Sequence, residues 1–312
     1  MITRRLSDFG VLILKGMGMG AADVVPGVSG GTIAFITGIY EELVHSIRNI
    51  NFGTISTLWK QGLPAFWKAV NGNFLGSVVG GILISVLTLA RILEYLLLNH
   101  PILIWSFFFG LIIGSAIFVA RAIGKWNTGT VISLLAGIAI AWLITSITPA
   151  ETSEAYWFIF LSGALAICAM ILPGISGSFI LLLLGKYQFI LNALNEGKIS
   201  IIAALMIGAL TGIIAFSHLL SWLLQKFHHL TIAVLAGFMI GSLNKIWPWK
   251  ITVETYIDSH GEMRPLLQDN VLPGRFISET GADSQILWAV LLALSGFLLI
   301  FLFEGMSKKQ KG

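Results

Sequence analysis

The chain has 312 residues, of which 56% are hydrophobic and only 11% are charged, and its mean hydropathy is +0.88. This composition excludes an ordinary soluble domain and indicates a membrane protein that crosses the bilayer several times. The formal net charge of +4 does not indicate nucleic-acid binding, because the basic residues are scattered among loops instead of gathered on one face. The lone cysteine, Cys168, excludes an intrachain disulfide.

The first predicted element is a broken helical hairpin at about residues 9–47. Its apolar sequence is interrupted by Pro-Gly-Val-Ser-Gly at residues 26–30. The segment is too long for one crossing at 1.5 Å per residue, and Pro-Gly breaks a helix, so we expect two limbs that fold back as a re-entrant hairpin. Broken backbone at membrane depth is tolerated only where it lines a cavity or is buried in protein.

A tryptophan-containing segment at residues 48–73 follows the hairpin and is typical of an amphipathic helix that lies on the membrane surface. Three membrane-spanning helices are then expected to complete a first repeat at residues 1–148. Their apolar windows lie at residues 82–90, 102–120 and 131–147.

The same motif returns as Pro-Gly-Ile-Ser-Gly at residues 173–177, which is 147 positions later. Each copy is followed by Gly-x-Tyr, at Gly38 and at Gly185. We also expect Gly80 to align with Gly212, an offset of 132, which leaves 15 residues missing from the second copy at the surface segment.

The second repeat is accordingly predicted at residues 149–312. It contains a hairpin at about residues 156–194 and three spans, with an extracytoplasmic loop at about residues 248–285 before the last span at 286–303. Within that loop, alternation of polar and apolar residues over 250–258 and a turn at 259–261 predict a small β-hairpin.

The crossing count predicts how the two repeats are oriented. A hairpin returns the chain to its own side and three single crossings follow, so each half ends on the opposite side from its start. We therefore expect an all-α polytopic membrane protein with two inverted-topology repeats and both termini cytoplasmic. The positive-inside rule supports this orientation. The basic residues that it places inside are Arg4, Arg5, Arg48, Lys60, Lys68, Arg121, Lys125, Lys226, Lys308, Lys309 and Lys311.

The two Pro-Gly-x-Ser-Gly loops form the candidate substrate-binding site. Ser29 and Ser176 can cap the second limb of each hairpin, so that backbone N–H groups and positive helix ends point into the membrane interior, where an anion can approach the glycines. The alternative is that each loop is only a tight turn, but duplication in matched positions favours binding. The candidate residues are Pro26, Gly27, Val28, Ser29, Gly30, Gly31, Thr32, Pro173, Gly174, Ile175, Ser176, Gly177 and Ser178.

Four charged residues are candidate partners of the phosphate or of a coupling ion. Asp23 stands in apolar sequence, where a carboxylate is costly and usually functional, so we expect it to carry a coupling proton, to hold a basic partner such as Lys15, or only to cap the next limb. Arg91 and Glu94 have i, i+3 spacing and form either a structural ion pair or a phosphate contact. Lys186 is either a partner for an anionic headgroup or an interfacial anchor.

Signals for other functions are weak. The sequence contains no Walker A loop and no His-Glu-x-x-His, and Ser29 has no base partner at a recognisable spacing, so we do not expect an enzyme. The histidines lack metal-ligand spacing, and we expect neither a metal nor a cofactor.

The run at residues 18–34, followed by Gly-Ile-Tyr-Glu at 38–41, resembles the signature of a bacterial membrane family. Its members were long described as a domain of unknown function and are regarded as polyprenyl-phosphate (undecaprenyl-phosphate) transporters. The resemblance covers essentially the whole chain, and the second loop is degenerate because Ser178 stands where the first has Gly31. The resemblance implies a lipid flippase of the bacterial cytoplasmic membrane, which returns undecaprenyl phosphate to the cytoplasmic leaflet for cell-wall biogenesis.

Without the resemblance, the residues predict only a transporter with an anion-suited hairpin site near the midplane. A small-anion channel or exchanger that uses the same helix N-termini remains the alternative, and an embedded lipid phosphatase is a third. The expected partners are a polyprenyl-phosphate lipid and the bilayer, with proton coupling. The sequence leaves the driving ion and the oligomeric state open.

Overall fold

The structure is a computed structural model that describes residues 4–25, 28–149, 152–257 and 263–309. These residues are mostly helical. The helices of the first half are α1 (Leu6–Val24), α2 (Gly30–Ile36), α3 (Tyr40–Arg48), α4 (Phe52–Gln61), α5 (Leu63–Ala69), α6 (Gly72–Asn99), α7 (Pro101–Arg121) and α8 (Thr128–Ser146). The elements of the second half are α9 (Tyr156–Ile171), α10 (Gly177–Leu183), α11 (Tyr187–Asn195), α12 (Ile199–Lys226), α13 (His228–Ser242), β1 (Lys250–Ile257), β2 (Met263–Asn270), α14 (Pro273–Thr280) and α15 (Ile286–Lys309).

Several of these helices can cross a bilayer. In the described part of the chain, α6, α7, α8 and α12 are long and apolar enough, and the bent pair α10–α11 raises the number to five if it is one broken span. α9, α13 and α15 contribute shorter apolar stretches. The predicted class of a helical membrane protein that crosses the bilayer several times is therefore confirmed.

The segment that follows each Pro-Gly loop consists of two helices instead of the single limb expected. Gly38 (φ +72°) separates α2 from α3, and Gly185 (φ +62°) separates α10 from α11, which meet at a bend of 103°. A left-handed glycine ends a helix at little steric cost, so the repeated Gly-x-Tyr sequence is a helix stop. α3 and α11 both begin at its tyrosine.

Helix pairs in the two halves correspond to one another. α1 packs along α6 as α9 packs along α12, while α7 pairs with α15 as α13 pairs with α8. The last two pairs join the two halves. Glycines bring these backbones into contact, since a methyl group at Gly81 would clash with the carbonyl oxygen of Ile13 and one at Gly208 with that of Phe160.

These contacts correct the alignment of the two copies. Gly208 takes the place of Gly81 in the second half, an offset of 127 residues, and α6 and α12 keep that offset from their first to their last residue. The expected pairing of Gly80 with Gly212 is wrong by five positions. The second copy therefore lacks 20 residues relative to the 147-residue offset of the loops, and α4 and α5 occupy the corresponding stretch of the first.

Contacts between helix ends define two faces of the molecule. At the N-terminal face, Arg4 donates to Glu42, and His228 lies 3.1 Å from Glu41. The β-hairpin face carries β1 and β2, together with the start of α9 and the connections on either side of α11. α4 and α5 bury no residue, as expected of helices that lie on a surface.

The predicted β-hairpin is confirmed. β1 and β2 pair antiparallel with a bulge around Glu254, while the proposed turn residues 259–261 lie outside the described residues. A small apolar cluster fastens the hairpin to the ends of the membrane helices. Its buried members are Ile102, Trp249, Val271 and Ala289.

Two adjacent glycines test the backbone contact between α1 and α6. We predict that Gly81→Ala lowers the free energy of unfolding by about 1–3 kcal/mol, because the added methyl group must push α1 away. Gly80→Ala is the matched control, since a methyl group there meets nothing within 4 Å, and it should leave stability unchanged or raise it by up to ~1 kcal/mol. Thermal unfolding in detergent measures the stability of both variants. Equal changes in the free energy of unfolding would show that α1 and α6 do not pack closely at Gly81.

Candidate functional site

The structure brings the two Pro-Gly-x-Ser-Gly loops into direct contact. Ser29 Oγ donates a hydrogen bond of 2.8 Å to the carbonyl oxygen of Met170. In return, the backbone N–H of Gly174 donates to Thr32 Oγ1 at 3.1 Å. Each loop therefore satisfies a backbone group of the other, as broken backbone at membrane depth requires.

A close approach of backbones makes glycine necessary at this contact. A methyl group on Gly31 would lie 2.5 Å from the carbonyl oxygen of Ile171. Gly174 has φ +97°, which L side chains rarely adopt, and a methyl group on it would lie 2.8 Å from Ser242 Oγ. Two of the glycines that the sequence singled out thus fit the two loops against α9 and α13.

Both motif serines cap helices, as their sequence position predicts. Ser29 Oγ accepts from the N–H of Gly31 at 3.0 Å, and Ser176 Oγ accepts from the N–H of Phe179 at 3.3 Å. Both residues are buried. Because Ser29 also donates to Met170, its hydroxyl is occupied on both sides, and an anion at the first loop must rely on backbone N–H groups.

Asp23 lies near the end of α1 and binds an N–H group of the first loop. The carboxylate oxygen Oδ1 accepts from the N–H of Gly30 at 2.7 Å, at the start of α2. This is the capping arrangement that the sequence left open as an alternative. The corresponding residue of the second half is Met170, 147 positions later, so only the first loop carries its own negative charge.

The remaining loop residues differ in how far they are buried. Val28, Pro173, Ile175 and Gly177 are buried, and Ser178 is half-buried with its Oγ 3.3 Å from that of Ser176. Pro26 and Gly27 lie outside the described residues.

The other charged candidates stand away from the loops. Lys186 is buried at the start of α11, where its ammonium donates to the carbonyl oxygen of Thr152 at 2.8 Å and lies near the faces of Phe158 and Phe189. These contacts place it beside the start of α9, at the β-hairpin face. Arg91 and Glu94 are both exposed on α6, towards its C-terminal end.

Sequence reasoning missed two lysines close to the second loop. Lys245 Nζ lies 4.7 Å from the ring centre of Phe179, the residue whose N–H is capped by Ser176. Lys250 Nζ lies 3.8 Å from the ring centre of Trp105 and donates to the carbonyl oxygen of Lys245 at 2.6 Å. Their only signal in the sequence is their place among aromatic residues after an apolar helix, which is equally typical of interfacial anchors.

Burial perturbs both lysines. It lowers the pKa of Lys245 below its ordinary value. Burial, together with the positive charge of Lys245, lowers the pKa of Lys250 well below its ordinary value. Both ammonium groups lie outside the membrane-spanning helices, at the β-hairpin face.

Comparison with known proteins identifies the family. The sequence profile of the VCA0040-like family, described as undecaprenyl phosphate translocase-like, matches residues 19–264. The chain belongs to this family. No solved structure matches the chain.

Two curated relatives agree with this assignment. The chain is 48% identical over 297 residues to a polyprenyl-phosphate transporter of Vibrio cholerae serotype O1, covering 95% of this chain and 96% of the relative. It is 34% identical over 254 residues to a polyprenyl-phosphate transporter of Staphylococcus aureus, covering 76% of this chain and 85% of the relative. The resemblance carried by residues 18–34 is confirmed, and the chain is a multi-pass bacterial membrane protein.

The contact between the loops predicts that Ser29 contributes to stability. Ser29→Ala removes the cap of α2 and the bond to Met170, so it should lower the free energy of unfolding by about 1–2 kcal/mol. The control is Ser106→Ala, a buried serine that bonds only to Ile102 within its own helix. Unfolding in detergent measures the stability of both variants. If Ser106→Ala lowers the free energy of unfolding as much as Ser29→Ala does, the bond between Ser29 and Met170 makes no special contribution.

Proposed function

We propose that this protein is a flippase that returns undecaprenyl phosphate from the outer to the cytoplasmic leaflet, so that the lipid carrier is used again in cell-wall assembly. The observation that carries the proposal is the pair of Pro-Gly-x-Ser-Gly loops that contact each other in the membrane part of the molecule. The names of both curated relatives support the substrate class. A transporter moves its lipid without chemistry, and both relatives are named as transporters.

In this proposal, residues 1–148 and 149–312 are inverted repeats, and each begins with a re-entrant hairpin. Lys15 in the middle of α1 donates to the carbonyl oxygen of Thr37 at 2.7 Å, so α2 runs back along α1 towards the face where α1 begins. In the second half, Thr152 donates to the carbonyl oxygen of Leu184, so α10 ends near the start of α9. The first hairpin belongs to the N-terminal face and the second to the β-hairpin face, as opposite orientations require.

The phosphate is held where the two loops meet. Phosphate oxygens accept hydrogen bonds from backbone N–H groups, and glycines, which lack a side chain, let an anion approach closely. The N–H groups of Gly30, Gly31 and Gly174 have protein partners in the structure, which a phosphate would displace. The apolar tail remains in lipid through a lateral opening between helices. A closed aqueous pore at the same place would instead suit a small-anion channel.

Asp23 couples phosphate binding to a proton in this scheme. Its carboxylate occupies the N–H of Gly30, which is one of the groups that a phosphate would use. Phosphate and carboxylate carry like charges and compete for that donor. Protonation of Asp23 weakens its hold and removes the repulsion, so the lipid phosphate and the proton enter the site together.

We predict that Asp23→Asn impairs transport of polyprenyl phosphate in proteoliposomes and abolishes its stimulation by an imposed pH gradient, because an amide cannot cycle a proton. Glu196→Gln is the control, as this exposed carboxylate only pairs with Lys198 at the surface. An equal reduction with and without the gradient would refute proton coupling and leave a positioning role. Normal flipping by Asp23→Asn under both conditions would refute both roles.

The orientation is tested by labelling. In a Cys168→Ser background, Thr280→Cys on α14 should react with a membrane-impermeant maleimide added to intact cells, whereas Lys60→Cys on α4 should react only after the membrane is opened. Both side chains are exposed, so the accessible side decides the result. Reaction of Lys60→Cys in intact cells would overturn the cytoplasmic placement of the N-terminal face.

A further inference from the structure

A polar cavity of about 310 Å³ lies at the β-hairpin face. It opens between the end of α8, the helix α10, the chain that follows α13, and β2. Its polar wall includes Ser146, Asn244, Lys245, Gln268 and Asn270. Its apolar wall is formed by Phe179, Leu182 and Leu183 of α10. A cavity with one polar and one apolar wall suits a charged group attached to a hydrocarbon chain.

The cavity is lined by a cation, Lys245. A second lysine, Lys250, is close by, because its ammonium donates to the backbone carbonyl oxygen of Lys245. Among the described residues, no carboxylate lies within ion-pair distance of either ammonium group. Both lysines contact aromatic rings, which compensate a buried cation only in part.

Asp269 is the one acidic residue of the described lining. Its side chain is exposed, so solvent screens its charge, and it also interacts with Arg275 of α14, which is hydrogen-bonded to Glu279. The side-chain amides of Asn244 and Asn270 already donate to protein oxygens. The group that the cavity offers to an anion is therefore the ammonium of Lys245.

The cavity adjoins the second Pro-Gly-x-Ser-Gly loop. Phe179, beneath Lys245, is the residue whose N–H is capped by Ser176. The loop itself packs on the end of α13 at Ser242, three positions before Lys245. An anion that leaves the cavity towards the membrane interior therefore meets that loop first.

We propose that this cavity receives the phosphate monoester headgroup of the lipid before it reaches the loops, with Lys245 as the cation that binds it and Leu182 and Leu183 contacting the first part of the prenyl chain. This proposal rests on the proposed function, which supplies the direction in which the lipid moves. Burial lowers the pKa of Lys245, and a bound phosphate stabilises its charged form, so binding and protonation of this lysine support each other.

Binding of geranyl monophosphate to the purified protein, with geraniol as the uncharged comparison, tests the site. Lys245→Gln should weaken geranyl monophosphate about tenfold or more, since a charge-assisted hydrogen bond is lost, whereas Lys245→Arg should stay close to the wild type. Lys198→Gln is the matched control, an exposed lysine on the same face. Unchanged affinity in Lys245→Gln overturns the proposal.

Competition with inorganic phosphate distinguishes a site for the lipid headgroup from a site for free phosphate. Displacement of geranyl monophosphate by inorganic phosphate at similar concentration assigns the cavity to the phosphate group alone. Binding of the prenyl phosphate in a Lys245-dependent manner without such displacement assigns it to the lipid. Binding of either that does not depend on Lys245 overturns the site.

A measurement on the wild-type protein covers the case in which Lys245→Gln does not fold. Geranyl monophosphate should slow acetylation of Lys245 by an amine-reactive ester, as measured by mass spectrometry, and leave Lys198 unaffected. Equal acetylation with and without the ligand overturns the site. Absence of polyprenyl-phosphate transport by the wild type in proteoliposomes would instead defeat the proposed function, so the two failures are distinguishable.

Discussion

The structure depends on one constraint, the need to satisfy broken backbone away from water. A helix interrupted in the membrane leaves N–H and C=O groups that lipid cannot bind. Here each interruption is satisfied by the other half, through Ser29 to Met170 and Gly174 to Thr32. Neither loop has these partners alone. The contact therefore requires both halves and places their two helix breaks, with their concentrated polar groups, side by side.

Glycine packing makes the two halves a single interlocked unit. α7 pairs with α15 and α13 with α8, so each half supplies one helix to each joining pair. Gly110 lies against the backbone of Ala293, and its counterpart Gly237 lies against that of Leu134. Because lipid tails are as apolar as the side chains, close backbone packing replaces the hydrophobic effect as the source of attraction. Movement of one pair must then be accommodated by the corresponding pair.

The two halves share a backbone plan but differ in charge. The first loop is bonded to Asp23 of α1, whereas Met170 of α9 stands at the corresponding position of the second half, and the second loop has Lys245 nearby. One loop is thus provided with its own anion and the other with a cation. This difference gives an otherwise repeated structure two unlike ends.

The sequence by itself determined the membrane class, the duplicated loops, the capping serines and the β-hairpin, because each follows from local composition or short-range geometry. Tertiary structure decided the rest. The break at Gly38 depends on a positive φ, and the offset of 127 depends on which glycines meet. The sequence left Asp23 between two roles, and its bond to Gly30 is visible only in three dimensions. Lys245 lies 67 positions from Ser178 in the chain, and only packing of the β-hairpin face brings it over the second loop.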